Sequence, residues 1–206
     1  MFATIITYNQ MKRIFYLTAF VATLFSACSK PPVEAPLPVS TASLSRSFFY
    51  PRTATSESVS YSSNGDSSIS KRSFYNSDRD LVIAFDVKYN IGKDGVSLVL
   101  MKDKIKPGLR GGYAISPFLT PGMPQGDIKA FYAYYKSESS TTFLMPGMAS
   151  GVLHITEYND KQKLISGNYN FRINTNQDPK GGPVAIWEDT QIDVSSSFEN
   201  VQIKQE

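Results

Sequence analysis

A single histidine and a single cysteine bound the chemistry open to this chain of 206 residues. Any Ser-His-Asp or Cys-His relay has to pass through His154. That residue lies between Leu153 and Ile155 in a stretch patterned as a strand, where it faces opposite both, so it is expected at a surface or rim rather than as a general base. The closest carboxylate groupings are Asp78-Arg79-Asp80 and Glu188-Asp189. A glycosidase needs two carboxylates facing each other across a sugar, and neighbours in a regular strand point to opposite faces. These groups are expected in solvated turns or strand edges. Asn174, Asn176 and Asp178 lack the ordered ligand spacing of a calcium loop, and one histidine with one cysteine cannot build a His-rich or Cys-rich site. No metal and no cofactor are expected. The loop Leu109-Arg110-Gly111-Gly112-Tyr113 and the pair Gly181-Gly182 resemble phosphate loops in composition only, because no helix is predicted after either to aim its N–H groups at an anion.

Aromatic residues are the most suggestive feature, with 12 Tyr, 13 Phe and one Trp. Phe131-Tyr132-Ala133-Tyr134-Tyr135 puts Phe131 and Tyr135 on one strand face and Tyr132 and Tyr134 on the other. The default reading is a strand packed on both sides. If a ligand is held, Tyr132, Tyr134 and Trp187 are the aromatic contacts we name.

Cys28 has a different role. Met11-Lys12-Arg13 supplies a positive start and Ile14 to Phe25 an apolar run, which Ser29-Lys30-Pro31-Pro32 ends well short of the roughly 20 residues a membrane-spanning helix needs. The run closes on Leu24-Phe25-Ser26-Ala27-Cys28, which resembles a bacterial lipobox, with small residues before the cysteine and Phe25 in place of the usual Leu. The reading is a signal peptide over 1–27, with Met11 as its start, cut before a Cys28 that is then lipidated. Loss of Lys12 and Arg13 leaves 19 basic against 18 acidic residues, so the body is nearly neutral and lacks the basic footprint of a nucleic-acid binder.

Residues 28–45 carry four prolines without apolar periodicity and are read as a tether, leaving 46–206 as one β-domain. Leu81, Ile83, Phe85, Val87 and Tyr89 alternate with Val82, Ala84, Asp86, Lys88 and Asn90 as one strand. Ile165, Gly167, Tyr169, Phe171 and Ile173 form the core side of another, with Asn168, Asn170 and Arg172 facing water. Further strands are read at 96–101, 128–135, 142–145, 152–158, 185–187, 191–194 and 201–203. Gly92-Lys93-Asp94-Gly95, Pro107-Gly108, Pro121-Gly122, Pro146-Gly147, Asn159-Asp160 and the run from Asp178 to Pro183 punctuate them as turns. Two weaker strands flank Asn64-Gly65-Asp66, which favours a tight hairpin. The fold class is all-β, an antiparallel sandwich or barrel-like body.

Gly151-Val152-Leu153-His154-Ile155-Thr156-Glu157-Tyr158-Asn159, then Leu164 to Phe171 and the closing Phe198-Glu199-Asn200-Val201-Gln202-Ile203, resemble uncharacterised lipoprotein domains of Bacteroidetes over the last quarter of the chain. In that pattern Thr-Phe usually follows the glycine where this chain has Asn168-Tyr169. The resemblance implies the phylum and the anchor and carries no catalytic residue. The expected role is a cell-envelope lipoprotein, a non-enzymatic binding or assembly module attached through Cys28 to the outer membrane on its periplasmic face, with surface display as the alternative orientation. The expected partner is an envelope protein or a small apolar or sugar ligand. Two other functions compete: a calycin-like carrier of an apolar ligand, which requires a cavity of several hundred Å³ lined by Tyr and Phe, and a carboxylate-dependent hydrolase.

Overall fold

The computed structural model describes residues 36–63, 69–87, 93–117, 126–137, 140–144, 149–181 and 187–204. The chain divides into Met1–Leu37 and Pro38–Glu206, and every described strand lies in the second unit. Eleven strands follow in order: β1 (Thr41–Tyr50), β2 (Thr55–Ser63), β3 (Ile69–Tyr75), β4 (Leu81–Val87), β5 (Lys93–Leu100), β6 (Gly111–Ile115), β7 (Ile128–Ser137), β8 (Ser140–Leu144), β9 (Ala149–Asn159), β10 (Leu164–Gln177) and β11 (Trp187–Lys204). The all-β expectation holds. Among the described residues the only helical segment is a single 3-10 turn at Lys102–Lys104.

The strands form one sheet that returns on itself. From β3 the neighbours run β4, β5, β7, β6, β9, β10 and β11, and β11 pairs back to β3 through Ile203 and Lys204. Two parallel contacts, that one and Ile115 against Ile128, complete an otherwise antiparallel ring of eight. An eight-stranded ring is just wide enough for inward side chains to fill. The hairpin of β1 and β2 lies outside this ring, with β1 paired to the first part of β11. β8 adds to the edge of β7.

Period-two burial builds the core. Leu81, Ile83, Phe85 and Val87 point inward from β4, Val96, Leu98 and Leu100 from β5, and Ile165, Tyr169, Phe171 and Ile173 from β10, while Asn168, Asn170 and Arg172 are exposed as expected. Four rings from three strands pack in series: Phe171 on Tyr169 at 5.9 Å, Tyr169 on Phe85 at 5.6 Å and Phe85 on Phe198 at 5.3 Å. In β11 the inward residues are even-numbered from Thr190 to Phe198 and odd-numbered at Val201 and Ile203. Asn200, at φ 54°, supplies the extra residue that changes the phase, so the segments read separately as 191–194 and 201–203 are one strand carrying a bulge.

Several boundaries differ from the sequence reading. The last residues of the expected tether belong to β1, where Ala42 and Leu44 are buried, because the prolines stop at Pro38 and Ala42, Leu44, Phe48 and Tyr50 keep a period of two. Asn64 and Gly65 lie outside the described residues, and the strands flanking them do not pair: β2 pairs β1 across the turn at Pro51–Ala54, and β3 pairs β4. Gly111 and Gly112 form a short strand rather than a loop. Lys93, Asp94 and Gly95, read as a turn, begin β5. The turn pairs Pro121-Gly122 and Pro146-Gly147 fall outside the described residues, as do Tyr89 and Asn90.

Candidate functional site

Among the described residues, two inward positions carry charge. On β1 the series Ala42, Leu44, Arg46, Phe48 and Tyr50 points into the body, and on β5 so do Asp94, Val96, Leu98 and Leu100. Arg46 and Asp94 therefore meet in the interior, with side chains 1% and 0% exposed and Nε donating to Oδ1 at 3.1 Å. β1 and β5 share no ladder, so this pair ties the hairpin to the ring. Asp94 also accepts hydrogen bonds from the Tyr61 hydroxyl at 2.8 Å and from the Tyr132 hydroxyl. The guanidinium lies 4.0 Å over the Phe48 ring, and its Nη1 donates to Glu57 Oε1 at 3.0 Å. Glu57 Oε2 in turn accepts from Lys180 at 2.5 Å. Charges thus alternate from the interior to the rim, where Tyr50 donates to Asp178 at 3.2 Å.

Burial pulls the Arg46 guanidinium down, but the negative charge of Asp94 and the neighbouring Tyr132 raise it by more, so it stays protonated. Lys180 and Arg46 hold Glu57 below the usual carboxylate range. The groups of this network satisfy one another, and its work is to close one part of the interior.

The phenols make a pH prediction. Burial, followed by the charge of Asp178, pushes Tyr50 up to about 12, and burial first and Asp94 second push Tyr61 and Tyr132 up as well. A phenol titrates near 10 when unfolded, so between its two pKa values the folded state holds the proton that the unfolded state has lost, and stability falls as pH rises. Urea midpoints should hold steady between about pH 7 and 9 and drop above about 10, with phenolate absorbance appearing together with unfolding. Phenolate absorbance growing in while the folded signal persists would show these tyrosines to be solvated.

Tyr132 and Tyr134, named as ligand contacts, are turned inward and only 1% and 7% exposed. Tyr132 donates to Asp94, and Tyr134 packs on Phe48 with ring centroids 5.6 Å apart. Trp187 begins β11, and its side chain lies outside the described residues, as do Cys28 and the side chain of Glu188. His154 and Asp189 are exposed. Asp80 accepts from the backbone N–H of Lys102 at 2.9 Å, a turn-stabilising role, and Asp78 is exposed. No group of three or more His, Cys, Asp or Glu side chains is placed to hold a metal among the described residues.

The other face of the aromatic strand is the open one. Phe131 is 38% exposed, and rows of paired residues run from it across the sheet. One row is Phe131, Ser97, Ala84 and Arg72; the next is Ala133, Gly95 and Asp86. Small residues in the middle with Phe74, Phe131, Tyr135 and Arg72 around them leave a groove of about 190 Å³. At its polar end Asp86 Oδ2 accepts from Arg72 at 2.6 Å and Oδ1 from the Tyr135 hydroxyl at 3.3 Å. Gly95 permits this, since a Cβ there would stand 2.8 Å from the Asp86 carboxylate and 2.9 Å from the Tyr135 hydroxyl.

A wider groove, about 460 Å³, crosses the outer face of β9, β10, β11, β1 and β2. Several of its polar groups are paired among themselves: Ser45 with Ser60 at 2.9 Å, Ser58 with Ser47 at 3.0 Å, and Arg172 with Asp193 at 2.7 Å. It is a wet, hydroxyl-covered face.

Fold and surface together define an all-β, barrel-like body with a filled interior and an aromatic groove outside it. No family model matches the chain, and neither a curated protein nor a solved structure matches it.

Proposed function

We propose that this chain is a lipid-anchored cell-envelope module, non-enzymatic, that holds its ligand or partner on the outer face of the β-body. The observation that carries this reading is the groove beside Phe131, an exposed ring over a floor of small residues with a carboxylate and a guanidinium at one end. The interior supports it against the carrier alternative. Phe48, Phe85, Tyr113, Tyr132, Tyr169 and Phe198 are each under 2% exposed, and they occupy the space in which an apolar guest would sit.

The test is an apolar fluorescent probe added to the folded protein. The proposal expects no saturable uptake. Stoichiometric binding displaced by a fatty acid would replace it with the carrier.

Attachment rests on Cys28, at the end of the apolar run. Cys28→Ala is expected to leave the body folded and to remove the lipid, with outer-membrane attachment lost on fractionation. An uncleaved precursor could still be held by its signal, so the same measurement is made on a chain beginning at Ser29. Partition of that shorter chain to membranes would mean that lipid is not the main attachment.

A further inference from the structure

We infer that the groove beside Phe131 is a subsite for one neutral, hydroxylated ring, a single pyranose unit of a glycan. This rests on reading the outer face as the binding face, and it adds what that face selects.

Ala84, Gly95, Ser97 and Ala133 come from three adjacent strands and lie side by side in the ladder. None extends beyond a methyl or a hydroxyl, so the sheet offers a shallow, nearly flat bed. Ala84 and Ala133 keep 5% and 7% of their surface, and the Asp86 carboxylate and Tyr135 ring stand over Gly95, so the bed is narrow and lies between these two and Phe131. Phe131 supplies an exposed aromatic face, and aromatic rings bury large area against flat partners. A volume of about 190 Å³ lies below the range of a drug-sized pocket, which starts near 300 Å³, and suits one ring rather than an extended lipid.

The polar end narrows the chemistry. Asp86 brings acceptors, and Arg72, with its side chain 59% exposed, brings donors beyond the one it spends on Asp86. The two charges cancel, so neither an anion nor a cation gains net attraction. A purely apolar ring would strip water from both groups and return no hydrogen bonds, leaving them unsatisfied. A pyranose answers both demands: its C–H faces lie on aromatic and aliphatic surface, while hydroxyls on its rim donate to the carboxylate and accept from the guanidinium. Gly95 is a specificity element in this arrangement, since it lets Tyr135 and Asp86 meet across the strand.

The test is saturation-transfer NMR on the lipidated protein in nanodiscs, with methyl glucoside, methyl galactoside and methyl mannoside as probes and a phenylalanine tripeptide as the apolar comparison. At least one glycoside should receive saturation, and Phe131→Ala should weaken it by about tenfold or more, as expected for loss of a central aromatic anchor. Gly95→Ala should do the same by displacing Asp86 and Tyr135 while Phe131 stays in place, and it serves as the second variant should Phe131→Ala prove unstable. Unchanged glycoside binding in both variants would move the site elsewhere and overturn the inference. Saturation of the tripeptide but of no glycoside would overturn the sugar assignment and keep the outer face as a binding face. Failure of every probe would remove both.

Discussion

Arg46→Ala is expected to cost about 3–5 kcal/mol of folding stability, because it leaves Asp94 fully buried without its counter-charge. The two tyrosines that donate to Asp94 remain, and they soften the loss without cancelling the charge. Denaturant midpoints of a chain beginning at Ser29 measure it. An exposed pair serves as the reference: Arg172→Ala breaks the Arg172–Asp193 bridge, whose side chains are 51% and 43% exposed, and should cost no more than about 1 kcal/mol.

The same pair distinguishes attraction from the penalty of a stranded charge. Joint replacement, Arg46→Met with Asp94→Leu, removes both charges at similar volume and should recover much of the single-variant loss. Recovery stays incomplete because the buried Tyr132 hydroxyl loses its acceptor, at about 1–3 kcal/mol. If Arg46→Ala cost no more than Arg172→Ala, water would be reaching Asp94, and the hairpin of β1 and β2 would not be sealed against β5.

Why this pair escaped the sequence reading is a matter of local signals. Arg46 sits in a clean alternation of inward residues, but the serines between them and the prolines before them made the segment look like the end of a tether. Asp94 lies between Lys93 and Gly95 in a run with the composition of a turn, and glycine there serves a cross-strand contact instead. Strands β4 and β10 were legible because one face of each is almost wholly apolar, so a period of two survives without context. The aromatic strand was legible only in part. Its two faces could be separated from spacing alone, but which faces inward depends on what stands across from it, and Ala84, Gly95 and Ser97 leave the Phe131 side open while Phe48 and Asp94 enclose Tyr132 and Tyr134. Pairing order was not legible at all. β2 meets β1 and not β3: the chain reverses at Pro51–Ala54, where Ala54 has φ 52° without an Asn-Gly signal to announce it, and the Arg46–Glu57 and Ser-Ser bonds join the two strands.

Phe171→Ala should likewise cost about 3–5 kcal/mol, a large share of the roughly 5–15 kcal/mol that holds a typical domain together. Phe171 is 3% exposed and begins the ring series through Tyr169 and Phe85 to Phe198, so its removal takes contact area from a core that joins β10 to β11 and, across the interior, to β4. The site cannot readily collapse. β10 is held by β9 on one side and β11 on the other, and Gly151 on β9 lies so close to the Phe171 backbone that a Cβ there would have no room. A cavity that cannot close keeps its full penalty, which places the loss toward the upper part of that range. Asn170 is the internal control, one residue away on the same strand and turned to solvent beside Ser195, and Asn170→Ala should change stability by no more than about 0.5 kcal/mol. Urea midpoints of the two variants separate the faces directly. Equal losses would mean that β10 is buried on both sides, and a larger loss at Asn170 would invert the inward and outward sets, carrying the exposed position of His154 on the neighbouring strand with it.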